Sequence, residues 1–183
     1  MQFTAQTVTQ ANPFLFVWQA QFKVMPGVWI KAEDGHNSKK GWGGAKLWSL
    51  IPMGGRDSLE VFKMQLVRSL AELPWNPQFA LFIPNLQWQD IDDATFKVQL
   101  ILTDIEVSIS FELNEEDDVV RAFGRRYYDV PDGFVEADWH YEFSDHQDFA
   151  GVRIPASAVA TYNKPEGPWE YWRGKITSIS SEV

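Results

Sequence analysis

DSLEVFKMQLVRSLAELPW, residues 57–75, decides how the rest of the chain is read. Asp57 with Glu60 three residues on makes an acidic form of the capping box, which satisfies a helix N-terminus from its own side chains. Pro74 ends the run, because it has no amide proton with which to continue the ladder. At 100 degrees per residue, Leu59, Phe62, Leu66, Leu70 and Leu73 fall within about 40 degrees of one direction and form a single apolar stripe. The opposite side carries Arg68 and Glu72, four residues apart, among Val61, Met64 and Trp75. A basic residue N-terminal to an acidic one is the weaker order for a surface ion pair, so surface stability is a thin reason for it. Two readings stay open: an exposed pair on a helix crossing the mouth of a sheet, or a pair facing a cavity. In a cavity, Arg68 would hold an anionic head group while Glu72 orients it or acts as a base.

Outward from this helix, both flanks read as strands. On the N-terminal side, Phe3 to Gln10 alternates, and Phe14 to Val24 places Phe14, Phe16, Trp18, Ala20, Phe22 and Val24 on one face. Pro26-Gly27 supplies a turn before Val28 to Glu33. His36 falls in the polar stretch Asp34 to Lys40 and is expected to be exposed. Gly41, Gly43 and Gly44 suggest a bulge or a close backbone approach, with a further strand over Ala45 to Ile51 that Gly54 and Gly55 end. On the C-terminal side, Pro77 to Phe82 reads as a short helix or turn. Thr95 to Leu102 and Ile105 to Leu113 read as a hairpin about Thr103-Asp104, followed by Val119 to Val130, Phe134 to Phe143, Val152 to Tyr162 and Trp169 to Ile179.

Ten or eleven strands in hairpin order around one helix predict an α+β, mainly β fold: an antiparallel curled sheet or half-barrel of about ten strands. The helical insertion would pack on its concave face. The chain reads as one domain over 1–183, with strands over 1–55, the insertion over 56–85 and strands over 86–183.

Composition excludes several function classes. The chain has 183 residues, 25 acidic and 16 basic, for a net charge of −9. Nothing in that surplus of acid neutralises phosphates, which argues against nucleic acid. Nine Trp, thirteen Phe and five Tyr make a core affordable and exclude disorder. There is no cysteine, hence no disulfide, zinc thiolate or thiol nucleophile. Residues 1–11 lack the basic start and apolar run of a secretion signal, and no stretch is long enough to span a bilayer. The chain reads as cytoplasmic by default, with an anchor upstream of this sequence as the alternative.

Phosphate loops, dinucleotide fingerprints, nucleophile elbows and H-E-x-x-H pairs are missing. EADWHYEFSDHQD, residues 136–148, gathers Glu136, Asp138, His140, Glu142 and His146. Alternate strand residues stand about 6.6 Å apart, too far for one strand to ligate one ion. The favoured reading buries Ala137, Trp139, Tyr141 and Phe143 and leaves the charged set wet. No metal and no cofactor is expected. Arg125-Arg126-Tyr127-Tyr128 and Tyr171-Trp172-Arg173 are basic aromatic knots that either seal a barrel end or meet a ligand.

The blocks FTAQTVTQANPFLFVWQA, GRDS, LVRSLAELPWNP, LQWQDIDD, GRRY, GVRIPA and EYWRGKITSI resemble, over essentially the whole chain, an uncharacterised bacterial family. Arg68, Glu72, Trp75, Arg126, Arg173 and Gly174 match its motif positions. The resemblance implies no activity. The order of strands, helix and strands is also similar in topology to the half-barrels of the periplasmic lipoprotein carriers, which hold acyl chains on an aromatic concave face.

The favoured function is a non-catalytic binding protein for a lipid or other apolar or amphiphilic small molecule, with ligand-binding candidates Arg68, Glu72, Trp75, Arg126, Tyr127 and Arg173. An interaction domain with a filled core is the first alternative. An enzyme using Glu72 as base and Arg68 or Arg126 as clamp is the second.

Overall fold

The computed structural model describes residues 2–102 and 104–180. It is mainly β with a helical insertion, as the pattern predicts. β1 (Phe3–Gln10), β2 (Leu15–Met25), β3 (Val28–His36), β4 (Gly41–Leu47) and β5 (Ile51–Arg56) precede helix α1 (Leu59–Ala71), a 3-10 turn (Leu73–Trp75) and the single-turn helix α2 (Pro77–Ala80). After them come β6 (Leu86–Asp90), β7 (Thr95–Leu102), β8 (Ile105–Leu113), β9 (Val119–Val130), β10 (Gly133–Phe149), β11 (Val152–Lys164) and β12 (Gly167–Lys175). Thr103 of the expected Thr103-Asp104 turn lies outside the described residues.

The strands divide between two open antiparallel sheets, where one curled sheet was expected. Sheet order is β1 to β5 in the first and β12 to β6 in the second, each strand lying beside its neighbours in sequence. The break falls between β5 and β6 because the helical segment intervenes there. Several strands differ from their expected bounds: β3 runs on to His36, β10 runs on to Phe149 and β12 stops at Lys175. Trp48 and Ser49 take left-handed backbone angles (φ 51° and 60°) and turn the chain inside the expected strand Ala45 to Ile51, so Gly54 and Gly55 fall within β5. β6 is an edge strand, exposed at all but Leu86, with no burial alternation to announce it.

α1 lies between the sheets, touching β3 and β4 on one side and β8 and β9 on the other. Its leucine stripe enters the main core: Leu66, Leu70 and Leu73 pack with Val98, Leu100, Ile109, Phe111, Trp139 and Tyr141. Leu59, the first of the stripe, is exposed. A smaller cluster of Phe16, Trp18 and Ala20 on β2 meets Trp172 of β12, which also packs on the main core. The helix is capped one residue later than the sequence suggests. Ser58 Oγ accepts from the Val61 amide at 3.3 Å and donates to Glu60 at 2.7 Å, because a hydroxyl both accepts and donates.

Gly41 shows why the glycine-rich segment sits where it does. It is buried against α1, and a Cβ on it would stand 2.5 Å from Phe62 Cα and 3.2 Å from the Val61 carbonyl oxygen. Both are helix backbone and cannot swing aside. Gly41→Ala should therefore cost about 2 kcal/mol or more by forcing α1 off β4, read as a lower urea midpoint at unchanged m-value.

β8 and β9 pair only from Ser110↔Phe123 to Leu113↔Val119. Beyond Gly124 the strands part. β8 stays with β7 and β9 stays with β10, and the facing edges enclose a groove.

Candidate functional site

The helix face opposite the leucines is buried, and the structure overturns the exposed-pair reading of Arg68 and Glu72. Arg68 Nε donates to Glu72 Oε1 at 2.8 Å, and Arg68 Nη1 donates to Asp34 Oδ2 on β3 at 3.1 Å. The guanidinium stacks 4.6 Å from the Trp18 ring centre and 5.5 Å from that of Phe16. Glu72 Oε1 also accepts from the Tyr141 hydroxyl of β10 at 3.4 Å. Burial pushes the Glu72 carboxyl above its ordinary value, against the pull of Arg68. The same burial opposes the charge on Arg68, but Glu72, Tyr141 and Asp34 more than offset it, and its pKa rises. The Tyr141 hydroxyl is held well above its usual range by burial and by Glu72.

Arg126 makes a second buried knot. Its Nε donates to the Met64 carbonyl of α1 at 3.1 Å, and its Nη1 donates to the hydroxyls of Tyr162 at 2.6 Å and Tyr171 at 3.2 Å. The Trp139 ring lies 5.0 Å away. Burial works against this charge too, with Tyr162 and Tyr171 offsetting it to a net upward shift. Among the described residues, no carboxylate stands within ion-pair distance of Arg126.

The remaining candidates are placed as follows. Trp75 Nε1 donates to the Pro155 carbonyl at 3.0 Å, and its ring meets Tyr141 and Phe143 edge-on. The Tyr127 carbonyl accepts from Tyr162 at 2.7 Å. Arg173 is exposed and pairs with Glu170. In the segment 136–148, Ala137, Trp139, Tyr141 and Phe143 are buried, as the alternation implies. Glu136, Asp138 and Glu142 are exposed as expected, but the two histidines are not wet: His140 is half-buried, and the largely buried His146 side chain has Nε2 3.0 Å from the Val119 carbonyl. Among the described residues, no group of three His, Asp or Glu side chains is placed to hold a metal ion.

His36 corrects a sequence expectation. It closes β3 under Phe14, Phe16 and Phe62 and is fully buried. The Ser69 hydroxyl donates to the Leu66 carbonyl at 2.8 Å. That hydroxyl has one proton, so His36 Nε2, 2.9 Å from Ser69 Oγ, must be the donor of the pair. Nδ1 is then a bare acceptor, without a partner among the described residues. Burial lowers the His36 pKa to about 3.

The concave space expected to hold a ligand is occupied by α1 and the ring cluster. One opening is the groove where β8 and β9 part, of about 380 Å³; another, of about 430 Å³, lies over the β6–β7 turn and is lined by Asp90, Asp92 and Asp93. In the β8–β9 groove, Val67, Val107, Ile109 and Phe123 supply apolar lining; Lys63, Lys97, Arg125 and Arg126 supply positive charge and Glu106 and Glu136 negative charge, with Arg125 paired to Glu136. Tyr127 is a lining residue as well, whereas Arg68, Glu72, Trp75 and Arg173 are not. Sequence reading missed Lys63 and Lys97, because the parting of two strands leaves no trace in periodicity. Gly124, isolated inside a strand, is the signal that was available.

A model of the family described as a family of unknown function, DUF6920, matches residues 1–180. The chain belongs to that family. Membership in an uncharacterised family thus stands as the resemblance implied. No curated protein and no solved structure matches the chain, so the likeness of DUF6920 to the lipoprotein carriers has no neighbour behind it. No helix among the described residues of this DUF6920 member is long and apolar enough to cross a membrane.

Two outcomes follow from the buried charges. Arg68→Ala leaves the Glu72 carboxylate buried without its cation and should cost about 3–5 kcal/mol, whereas Glu72→Gln, which keeps an acceptor, should cost clearly less; urea denaturation of both variants checks this. For His36, the unfolded chain binds a proton below its ordinary pKa while the folded chain does not. Its contribution is therefore complete above pH 6.5 and is lost as pH falls toward about 3, at up to about 1.4 kcal/mol per pH unit. Stability measured from pH 7 to pH 3.5 should fall less steeply in His36→Gln than in the parent.

Proposed function

We propose that the chain is a non-catalytic binding protein for an amphiphile with an anionic head, taken up in the β8–β9 groove. The observation that carries this reading is Arg126, a buried guanidinium with no carboxylate partner among the described residues, lining a groove with an apolar wall. A charge in that setting gains most from an anion that replaces lost hydration. The groove's volume lies within the range of small-molecule sites. Lys63 and Lys97 add charge at the same opening.

In this reading Arg126 and Tyr127 meet the ligand. Arg68, Glu72 and Trp75 hold α1 in place, and Arg173 stands apart. The filled interior supports a second reading, an interaction domain that acts through its surface. An enzyme built on Glu72 has less to support it, since that carboxylate is engaged by Arg68 and Tyr141 away from the groove.

A fluorescent fatty acid titrated into the protein should bind saturably and more tightly than the matching monoacylglycerol, whose head is neutral. Lys63→Gln with Lys97→Gln should weaken the fatty acid about tenfold or more and leave the monoacylglycerol unchanged. Absence of saturable binding, together with no lipid in solvent extracts of the purified protein, would sink this reading in favour of the interaction domain.

A further inference from the structure

The chain is electrically divided. Residues 1–56, which hold all five strands of the first sheet, contain six basic and two acidic residues, a net charge of +4; residues 57–183 contain ten basic and 23 acidic, a net charge of −13. The two acids, Glu33 and Asp34, are both engaged inside the fold. Glu33 accepts from Gln19 and from the Trp42 indole, and Asp34 holds Arg68.

One end of this positive sheet is also its most apolar surface. The β2–β3 and β4–β5 hairpin tips lie side by side, joined by two hydrogen bonds: the Trp48 amide donates to the Trp29 carbonyl at 2.9 Å, and Trp48 Nε1 donates to the Gly27 carbonyl at 2.8 Å. From this joined tip project Met25, Trp48, Leu50, Ile51 and Met53, with Leu50 80% exposed. Trp48 and Ser49 occupy the two left-handed positions of a tight turn closed by the Leu50 amide on the Leu47 carbonyl. Asn-Gly takes such positions without strain, and Trp-Ser does not. The turn thus holds a costly conformation that leaves Leu50 exposed. Directly behind the tip, Lys23, Lys31 and Lys46 are exposed. The register places them on one face: Lys31 is opposite Lys46, and Lys23 is opposite Trp29, two residues before Lys31.

We propose that this tip docks on the surface of an anionic lipid bilayer. Leu50, Ile51 and Met53 would enter the acyl boundary and Trp48 would sit at head-group level, with the three lysines against the lipid phosphates. Charge complementarity argues for this occupant. The net −13 remainder is repelled by the same surface, so only one orientation brings the protein down tip first. A projecting point of flexible and aliphatic side chains suits a deformable apolar phase better than a flat protein interface. The tip is remote in sequence from the groove and shares no lining residue with it.

The test is flotation of the full chain with vesicles made of equal parts phosphatidylcholine and phosphatidylserine, against vesicles of phosphatidylcholine alone. The protein should float with the anionic vesicles, far less with the neutral ones, and lose binding in high salt. Leu50→Asp with Met53→Asp should abolish flotation. Lys23→Gln, Lys31→Gln and Lys46→Gln should each reduce it about fivefold. These positions are exposed, so the melting temperature should stay unchanged. The chain has no cysteine, so Met53→Cys accepts a single environment-sensitive dye, whose emission should shift to the blue on anionic vesicles; the same dye at Glu115→Cys should not respond. Failure to float with anionic vesicles, or flotation that survives Leu50→Asp with Met53→Asp, would overturn the proposal. So would a tip that instead pairs two copies of the chain, seen as a dimer lost in that double variant.

Discussion

The Arg68 guanidinium holds together parts of the chain that lie far apart in sequence. It reaches β3 through Asp34, its own helix through Glu72, and the inner face of the first sheet through the rings of Phe16 and Trp18. Glu72 in turn reaches Tyr141 on the second sheet. The arrangement follows from where α1 lies. From Gln65 onward α1 is buried on every side, so a polar group there is costly without a partner inside the protein. His36 with Ser69 and Arg126 with the Met64 carbonyl answer the same requirement on other turns of α1. Removing two charges from water cancels much of what their attraction returns. Such a set acts chiefly by penalising any packing in which one member is missing. It fixes how the two sheets sit on the helix.

Much of this was legible beforehand, and the rest was hidden for identifiable reasons. Strict alternation in β2 and around Trp139 in β10 announces half-buried strands, and the 59–73 stripe announces α1, because one period describes each. The same period cannot say whether the side opposite the leucines meets water or a second sheet, so the fate of Arg68 and Glu72 stayed open. His36 sits in a polar run that looks like a loop, yet it closes a strand beneath three phenylalanines. The Trp48-Ser49 turn has none of the residue types that mark a left-handed corner. Division into two sheets depends on β5 and β6 failing to pair across the helical segment, a three-dimensional fact without a local signature. The acid-free run over the first 32 residues was visible as text, but it acquired meaning only when the hairpin tips proved to be neighbours.

The site candidates separate along the same line. Arg68, Glu72 and Trp75 stand out in the sequence because they share a helix end, and in the fold they serve that helix. Arg126 stands out less, in a strand beside another arginine, and with its neighbour Tyr127 it reaches an opening. A buried charge is informative through the partners it lacks, and periodicity cannot count partners.

Both sheets are meanders in which each strand pairs with the next along the chain. Every ladder can therefore be closed by a short loop, at small entropic cost, and the expensive long-range closure is concentrated in one event, the seating of both meanders on α1. Until then each meander would carry one oily face and a row of unpaired edge amides. The interval between strand formation and helix docking is thus the moment in the life of this chain when misassociation is most costly.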